Sequence, residues 1–256
     1  MSISIIRAGT QRLFLPDMGI RAYPAGAIGG AGVTSTRSVN FDGSNDYIDC
    51  GTSAAVNPSS AMSISLWAKA ISLSDPFLTK CLIARWTHPD PAKQAYAVLV
   101  GSSGDIALYW TSSGTGGSNV TSATGVFGAG AWHHVVVTFD AGNVVIYYDG
   151  NSVKTGSGVT SIYQSDNPLN IGVRRQNGGD YFHWNGLIDD VRIYNTPLDS
   201  AAVSSLYAGD DVTAGLVGYW PLEEGTGTTT ADTIGGNTGT LTSCPTWSTD
   251  VPASLA

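Results

Sequence analysis

The sequence predicts an all-β protein: two antiparallel sheets stacked as a sandwich, with one short helix towards the C-terminal side. Three observations carry this. Apolar and polar residues alternate at the period of two expected of half-buried strands, most clearly in Met62 to Ala70, MSISLWAKA, and between Trp132 and Gly150. Turn clusters such as SSGTGGSN at 112–119 and QNGGD at 176–180 separate the alternating runs. Charged residues are only 12% and glycine is 32 of 256, a composition suited to short strands and turns rather than long helices.

The chain divides into three parts. Residues 1–37 hold a small apolar patch, Leu13 to Leu15, followed by prolines and the run AGAIGGAGV. So few large side chains cannot bury the area needed to fold alone. This stretch is predicted to be an extended Gly/Ala-rich arm that orders on a neighbour. Residues 38–208 carry the sandwich. SVNFDGSNDYIDC reads as strand, polar turn, strand, and further strands are expected at 62–70, 82–86, 95–100, 105–110, 169–173 and 187–194.

The stretch from Trp132 to Gly150 is the clearest element. Val135, Val137 and Phe139 share one face, Val144, Ile146 and Tyr148 continue it, and Asp140 to Asn143 supplies the turn. Because His134, Val136, Val145 and Tyr147 line the other face, this hairpin is expected to be covered on both sides. LDSAAVSSLYAG, 198–209, is the one helix, with Asp199 as its cap, Ala202, Val203 and Leu206 as its apolar stripe and Gly209 as its stop. Residues 209–256 are expected to be an appendage of short strands and loops.

Taken in order, NFDGSNDYIDCG, SISLWAKA, GAWHHVVVTFD with VVIYYDG, LNIGV and GLIDDVRIYNTPLDSAAVSSLY resemble the laminin-G-like, concanavalin-A-like jelly-roll domains over residues 38–208. The resemblance implies a jelly-roll sandwich of two antiparallel sheets. It leaves function open, because this fold serves lectins, adhesins, glycanases and architectural modules. One segment departs from the pattern. LVGYWPLEEGTGTTTADTIGGNTGTLT looks like the stretch that leads into such a domain, yet here it trails. It either closes the sandwich late or begins a second unit.

Composition limits the partners. Lys and Arg total 12 against 20 Asp and Glu, a formal charge of −8 that argues against nucleic acid. The N-terminus lacks the uninterrupted apolar core of a secretory signal, and no apolar run is long enough to span a membrane. The chain is therefore expected to fold in the cytoplasm or to be a mature fragment. Cys50, Cys81 and Cys244 show no metal-binding spacing and read as ordinary buried thiols.

Catalysis is not expected. A glycanase needs two carboxylates facing one substrate, whereas the two glutamates, Glu223 and Glu224, are adjacent and would point to opposite faces of a strand. The histidines read as structural. Asp42, Ser44 and Asp46 alternate in an oxygen-rich turn suited either to a structural calcium or to an ordinary Asx turn. The resemblance adds Asp189, with Asp190 in reserve, to the calcium set. Glycan binding is expected where aromatic plates adjoin planar polar groups: Arg85, Trp86 and His88 form one cluster, and Arg174, Arg175, Tyr181 and Trp184 another.

These features predict a non-catalytic, lectin-like structural or binding protein. It would be displayed as a homo-oligomer on a phage-like virion made in a host cytoplasm, anchored to virion subunits through residues 1–37, and would bind surface glycans. The alternative is a carbohydrate-binding or adhesion module of a secreted or cell-surface protein, with a glycoside hydrolase third.

Overall fold

A computed structural model describes residues 32–74, 79–176 and 179–256, and for residues 91 and 179–181 the backbone alone. Most of the expected N-terminal arm therefore lies outside the described residues. In chain order the elements are β1 (Ser38–Asp42), β2 (Tyr47–Asp49), β3 (Ala61–Ala70), β4 (Thr79–His88), β5 (Gln94–Gly101), β6 (Ile106–Trp110), β7 (Ser118–Thr121), β8 (His133–Asp140) and β9 (Asn143–Tyr148). They continue as β10 (Asn151–Ser157), β11 (Asn170–Ile171), β12 (Arg174–Gln176), β13 (Gly179–Tyr181), β14 (Asn185–Tyr194), α1 (Ser200–Tyr207), β15 (Leu216–Trp220), β16 (Thr229–Thr230), β17 (Gly239–Thr242) and β18 (Thr246–Ser248).

The first sheet runs β10-β9-β8-β3-β14-β1-β18, and β15 also pairs with β14. The second runs β16-β17-β2-β11-β4-β5-β6-β7, with β12 on β4 and β13 on β12. This is the all-β sandwich that the alternation predicts. The inner faces meet in one core, where Ile64, Leu66, Val135, Val137 and Phe139 of the first sheet pack with Ile83, Val98, Leu108 and Trp110 of the second. The strand-turn-strand at 38–50 spans both layers, since β1 lies in the first sheet and β2 in the second.

The β8–β9 hairpin turns at Ala141 and Gly142, both at positive φ. Two such residues give the twist that a short hairpin loop requires. Its outer face is covered, as expected. Val136 and Tyr147 pack with Tyr194, Leu198, Val203 and Leu206, so α1 lies on the outside of the first sheet. Asp199 caps that helix, its Oδ1 accepting from the Ala202 N–H at 2.8 Å.

The appendage expected at 209–256 needs correction. β15 extends the first sheet beside β14, β18 pairs with β1, and β17 pairs with β2 in the second sheet. Trp220, Leu222 and Leu241 belong to the main core. The trailing segment thus closes the sandwich late, because its apolar residues are needed to cover core left open by residues 38–208. Residues 33–37 are docked as well. The Val33 N–H donates to the Gly209 carbonyl, the Ser35 N–H to the Leu255 carbonyl, and the Glu223 carboxylate accepts from the backbone N–H groups of Thr36 and Arg37.

Candidate functional site

The alternation of β3 sends Ser63, Ser65, Trp67 and Lys69 to the outer face of the first sheet. The segment leading into α1 covers the serine end, where the Leu198 N–H donates to Ser63 Oγ, and Ser65 Oγ lies 2.8 Å from His134 Nε2 of β8. Burial lowers the His134 pKa to about 3, so its imidazole is neutral, and Nδ1 has no hydrogen-bond partner. Trp67 stands opposite His134 in the strand register, their rings 5.0 Å apart. Tyr207, the last helical residue, lies nearly parallel to Trp67 at 5.6 Å. Gly150, at φ +78°, permits this approach, since a Cβ there would sit 3.1 Å from Tyr207 Cδ1.

Beyond the helix end the sheet is open. A cleft of about 710 Å³ is lined by Trp67, Lys69, Trp132, Ser204 and Tyr207, with Val251, Ala253 and Ser254 of the C-terminal tail as its far wall. Tyr207 is 39% exposed, Trp132 is half-buried, and Trp67 is only 4% exposed at the floor, its indole N–H unpartnered. Asp250 fixes the tail. One of its oxygens accepts from Trp132 Nε1 at 2.7 Å, the other lies 2.6 Å from Lys69 Nζ, and its carbonyl accepts from Ser38 Oγ. Burial alone would raise the Asp250 carboxyl, but the Lys69 and Trp132 hydrogen bonds outweigh it and hold the pKa below the ordinary 3.8. Two aromatic plates beside a fixed ammonium and carboxylate can stack a sugar ring and hydrogen-bond its hydroxyls.

The residues expected to bind glycan lie elsewhere. Arg85 is buried and structural: its guanidinium donates to the carbonyls of Thr52, Ser53 and Ser165, tying two loops to β4. Trp184 is fully buried in the core, its ring edge-on to Phe127, so it offers no face to a sugar. Both are corrected for one reason. A polar or aromatic side chain expected at the surface proved to face inward, Arg85 from its strand towards loop carbonyls and Trp184 into the inter-sheet core.

Trp86 and Arg174 do come together, outside the second sheet. Trp86 packs with Cys81, Ala97 and Leu99 beneath Phe182, and the Arg174 guanidinium lies 4.0 Å over the Phe182 ring. Tyr181 pairs with Arg174 across the β12–β13 hairpin. Arg175 donates to the Tyr47 hydroxyl, and His88 ends β4. Trp86 is 6% exposed, which leaves little of its ring for stacking.

The three expected calcium ligands do not form one set. Asp42 faces Asn185 in the β1–β14 register, which puts Asp189 four positions further along, about 13 Å away at about 3.3 Å per residue. Asp42 Oδ1 instead accepts from the Ser44 and Asn45 N–H groups, and Asp46 Oδ2 from the Asp42 N–H, as in an Asx turn. Asp189 is buried, accepting from the Ser35 hydroxyl and the Asp190 N–H, and burial raises its pKa well above the usual carboxylate range. Asp190 pairs with Arg192. No group of three His, Cys, Asp or Glu among the described residues is placed to hold a metal ion. Of the cysteines, Cys50 and Cys81 are buried thiols, whereas Cys244 is exposed, contrary to expectation.

A laminin G profile of the concanavalin A-like lectin/glucanases superfamily matches residues 42–204, well over half the chain. The chain belongs to that superfamily. A candidate carbohydrate-binding protein from Bacteroides ovatus superposes with a TM-score of 0.64 at 19% identity, over 88% of this chain and 63% of that one. The CBM40 of Ruminococcus gnavus IT-sialidase, solved bound to α2,3-sialyllactose, gives a TM-score of 0.56 at 12% identity, over 69% of this chain and 99% of that one. At such identities the likeness shows the fold alone. The adhesion G-protein coupled receptor V1 of Danio rerio is 24% identical over 163 residues, 56% of this chain but 3% of the receptor. No helix among the described residues is long and apolar enough to cross a membrane.

Sequence reasoning missed the cleft because its parts are far apart in the chain: positions 67, 132, 207 and 253. The one local signal was Trp67 beside Lys69 on the otherwise polar phase of β3. An aromatic at such a register points to something covering the sheet there.

Proposed function

We propose that this chain is a non-catalytic glycan-binding domain whose sugar stacks on Trp132 and Tyr207 at the outer face of the first sheet. The observation that carries this is two partly exposed rings facing a cleft lined also by Lys69, Ser204 and Ser254, with the Asp250 carboxylate paired to the Lys69 ammonium at 2.6 Å. The carbohydrate-binding designation of the Bacteroides ovatus protein and the sugar bound by the sialidase CBM40 agree with it. Glycoside hydrolysis is disfavoured by the carboxylates. Glu223 is engaged by Thr36 and Arg37, Glu224 accepts from the Ala231 N–H, and no pair of carboxylates is among the described residues that line the cleft.

The test is calorimetric titration with glycans selected on an array. Trp132→Ala and Tyr207→Ala are each expected to weaken binding about tenfold or more, the loss of roughly 1.4 kcal/mol of contact. Undiminished binding in both variants, with melting temperatures unchanged, removes the cleft from consideration.

Such a domain works at a surface, either outside a cell or on a particle. Display on a phage-like virion, as a homo-oligomer anchored through residues 1–37, extends this reading, and composition supports it: the arm has too few large side chains to fold alone. Electron microscopy of the native assembly tests it, with protection of residues 1–37 from protease in the particle as the expected result.

A further inference from the structure

We infer that the cleft selects uncharged glycan ends presenting a vicinal diol, and that Asp250 is the residue that sets this choice. The inference rests on the glycan-binding reading above and names the class of sugar. Lys69 is the one cation among the residues lining the cleft, and it is already matched by Asp250 at 2.6 Å. An ammonium has three N–H donors, of which this pair occupies one, and a carboxylate offers about four acceptor positions, of which Lys69 and Trp132 Nε1 occupy two. The pair therefore still presents donors and acceptors side by side. Adjacent hydroxyls, each both donor and acceptor, match that pattern.

A carboxylated or sulfated sugar does not match it. Its anion would sit beside the Asp250 carboxylate with a single, already matched cation between them, so the two like charges repel. It would also approach a chain of net charge −8. The α2,3-sialyllactose bound by the sialidase CBM40 is acidic. On this inference the two domains share a fold and differ in the charge of the sugar they accept.

Asp250→Asn separates the terms. An asparagine Oδ1 can still accept from Trp132 Nε1, so the tail keeps that tie while Lys69 becomes an unmatched cation. The experiment compares wild type, Asp250→Asn and Lys69→Gln on an array of neutral oligosaccharides and their sialylated or uronic-acid counterparts, at low and high salt, with melting temperatures recorded. Wild type is expected to bind neutral ends at least about tenfold more tightly than acidic ones. Asp250→Asn is expected to gain acidic ligands in a salt-sensitive manner. Lys69→Gln, which creates no cation, should keep the neutral preference and is informative even if Asp250→Asn fails to fold.

Wild type binding acidic glycans as well as neutral ones overturns this inference alone. So does an Asp250→Asn domain that folds with unchanged preference, or a Lys69→Gln domain that prefers acidic ends. Binding of no glycan by any form overturns the parent reading and this inference with it.

Discussion

Trp220→Ala is expected to lower the unfolding free energy by about 3–5 kcal/mol, the usual cost of truncating a large aromatic in a packed interior. Trp220 is fully buried, β15 sets it opposite Val191 of β14, and its indole donates to the Asn237 carbonyl at 2.9 Å. Truncation would open a cavity at the junction between the trailing segment and the rest of the sandwich, and would leave that carbonyl without its donor. Ile234→Ala, in the same segment but 52% exposed, is the control and should change stability by no more than about 0.5 kcal/mol. Urea denaturation of the two variants checks this. A loss below about 1 kcal/mol at Trp220 would mean that residues 209–256 are dispensable to the core.

Arg192→Met is expected to be comparably damaging, about 3–5 kcal/mol, for an electrostatic reason. Arg192 is fully buried, its guanidinium donating to Asp190 at 3.1–3.2 Å and to Asp211 at 2.9 Å, and lying 4.3 Å over the Tyr219 ring. Burial opposes its charge, but Asp190 beside it more than compensates and holds the guanidinium protonated. Methionine would fill much of the volume while leaving Asp190 buried with no cation. The double variant Asp190→Asn, Arg192→Met should recover part of the loss, because removing both charges avoids the stranded one. A single variant as destabilised as the double would instead assign the cost to packing.

Much of the fold was legible because the apolar faces impose a period of two. β3, β5, β6, β8, β9 and β14 all lie on alternating or continuous apolar runs, and α1 begins at its predicted cap. Strands lacking an apolar face were not legible. β10, NSVKTGS, is a mostly exposed edge, and β7, SNVT, contributes mainly Val120 to the core. Their pairing depends on neighbours, not on their own pattern. The late closure by β15, β17 and β18 was undecidable for a similar reason: short strands joined by glycine turns look alike whether they finish one sheet or start another.

The site was less legible than the fold. Trp184 follows turn-rich sequence and Arg85 lies on the strand expected at 82–86, where a charged side chain is ordinarily turned to solvent, yet the inter-sheet core and loop carbonyls enclose them. Asp42 and Asp46 have the spacing of a cation loop, but the same oxygens serve the turn's own N–H groups. The cleft arises only when the tail at Asp250 crosses the strand end carrying Lys69, and that is a tertiary event.

The most direct measurement is a nuclear magnetic resonance titration of the labelled domain with a glycan that it binds, following the indole N–H signals of the seven tryptophans together with the backbone amides. The account predicts that the Trp132 indole and the amides of Lys69, Ala208 and Ala253 shift together and saturably, while Trp110, Trp184 and Trp220, buried in the core, do not. Shifts gathered instead at Trp86 and Arg174, on the outside of the second sheet, would contradict it.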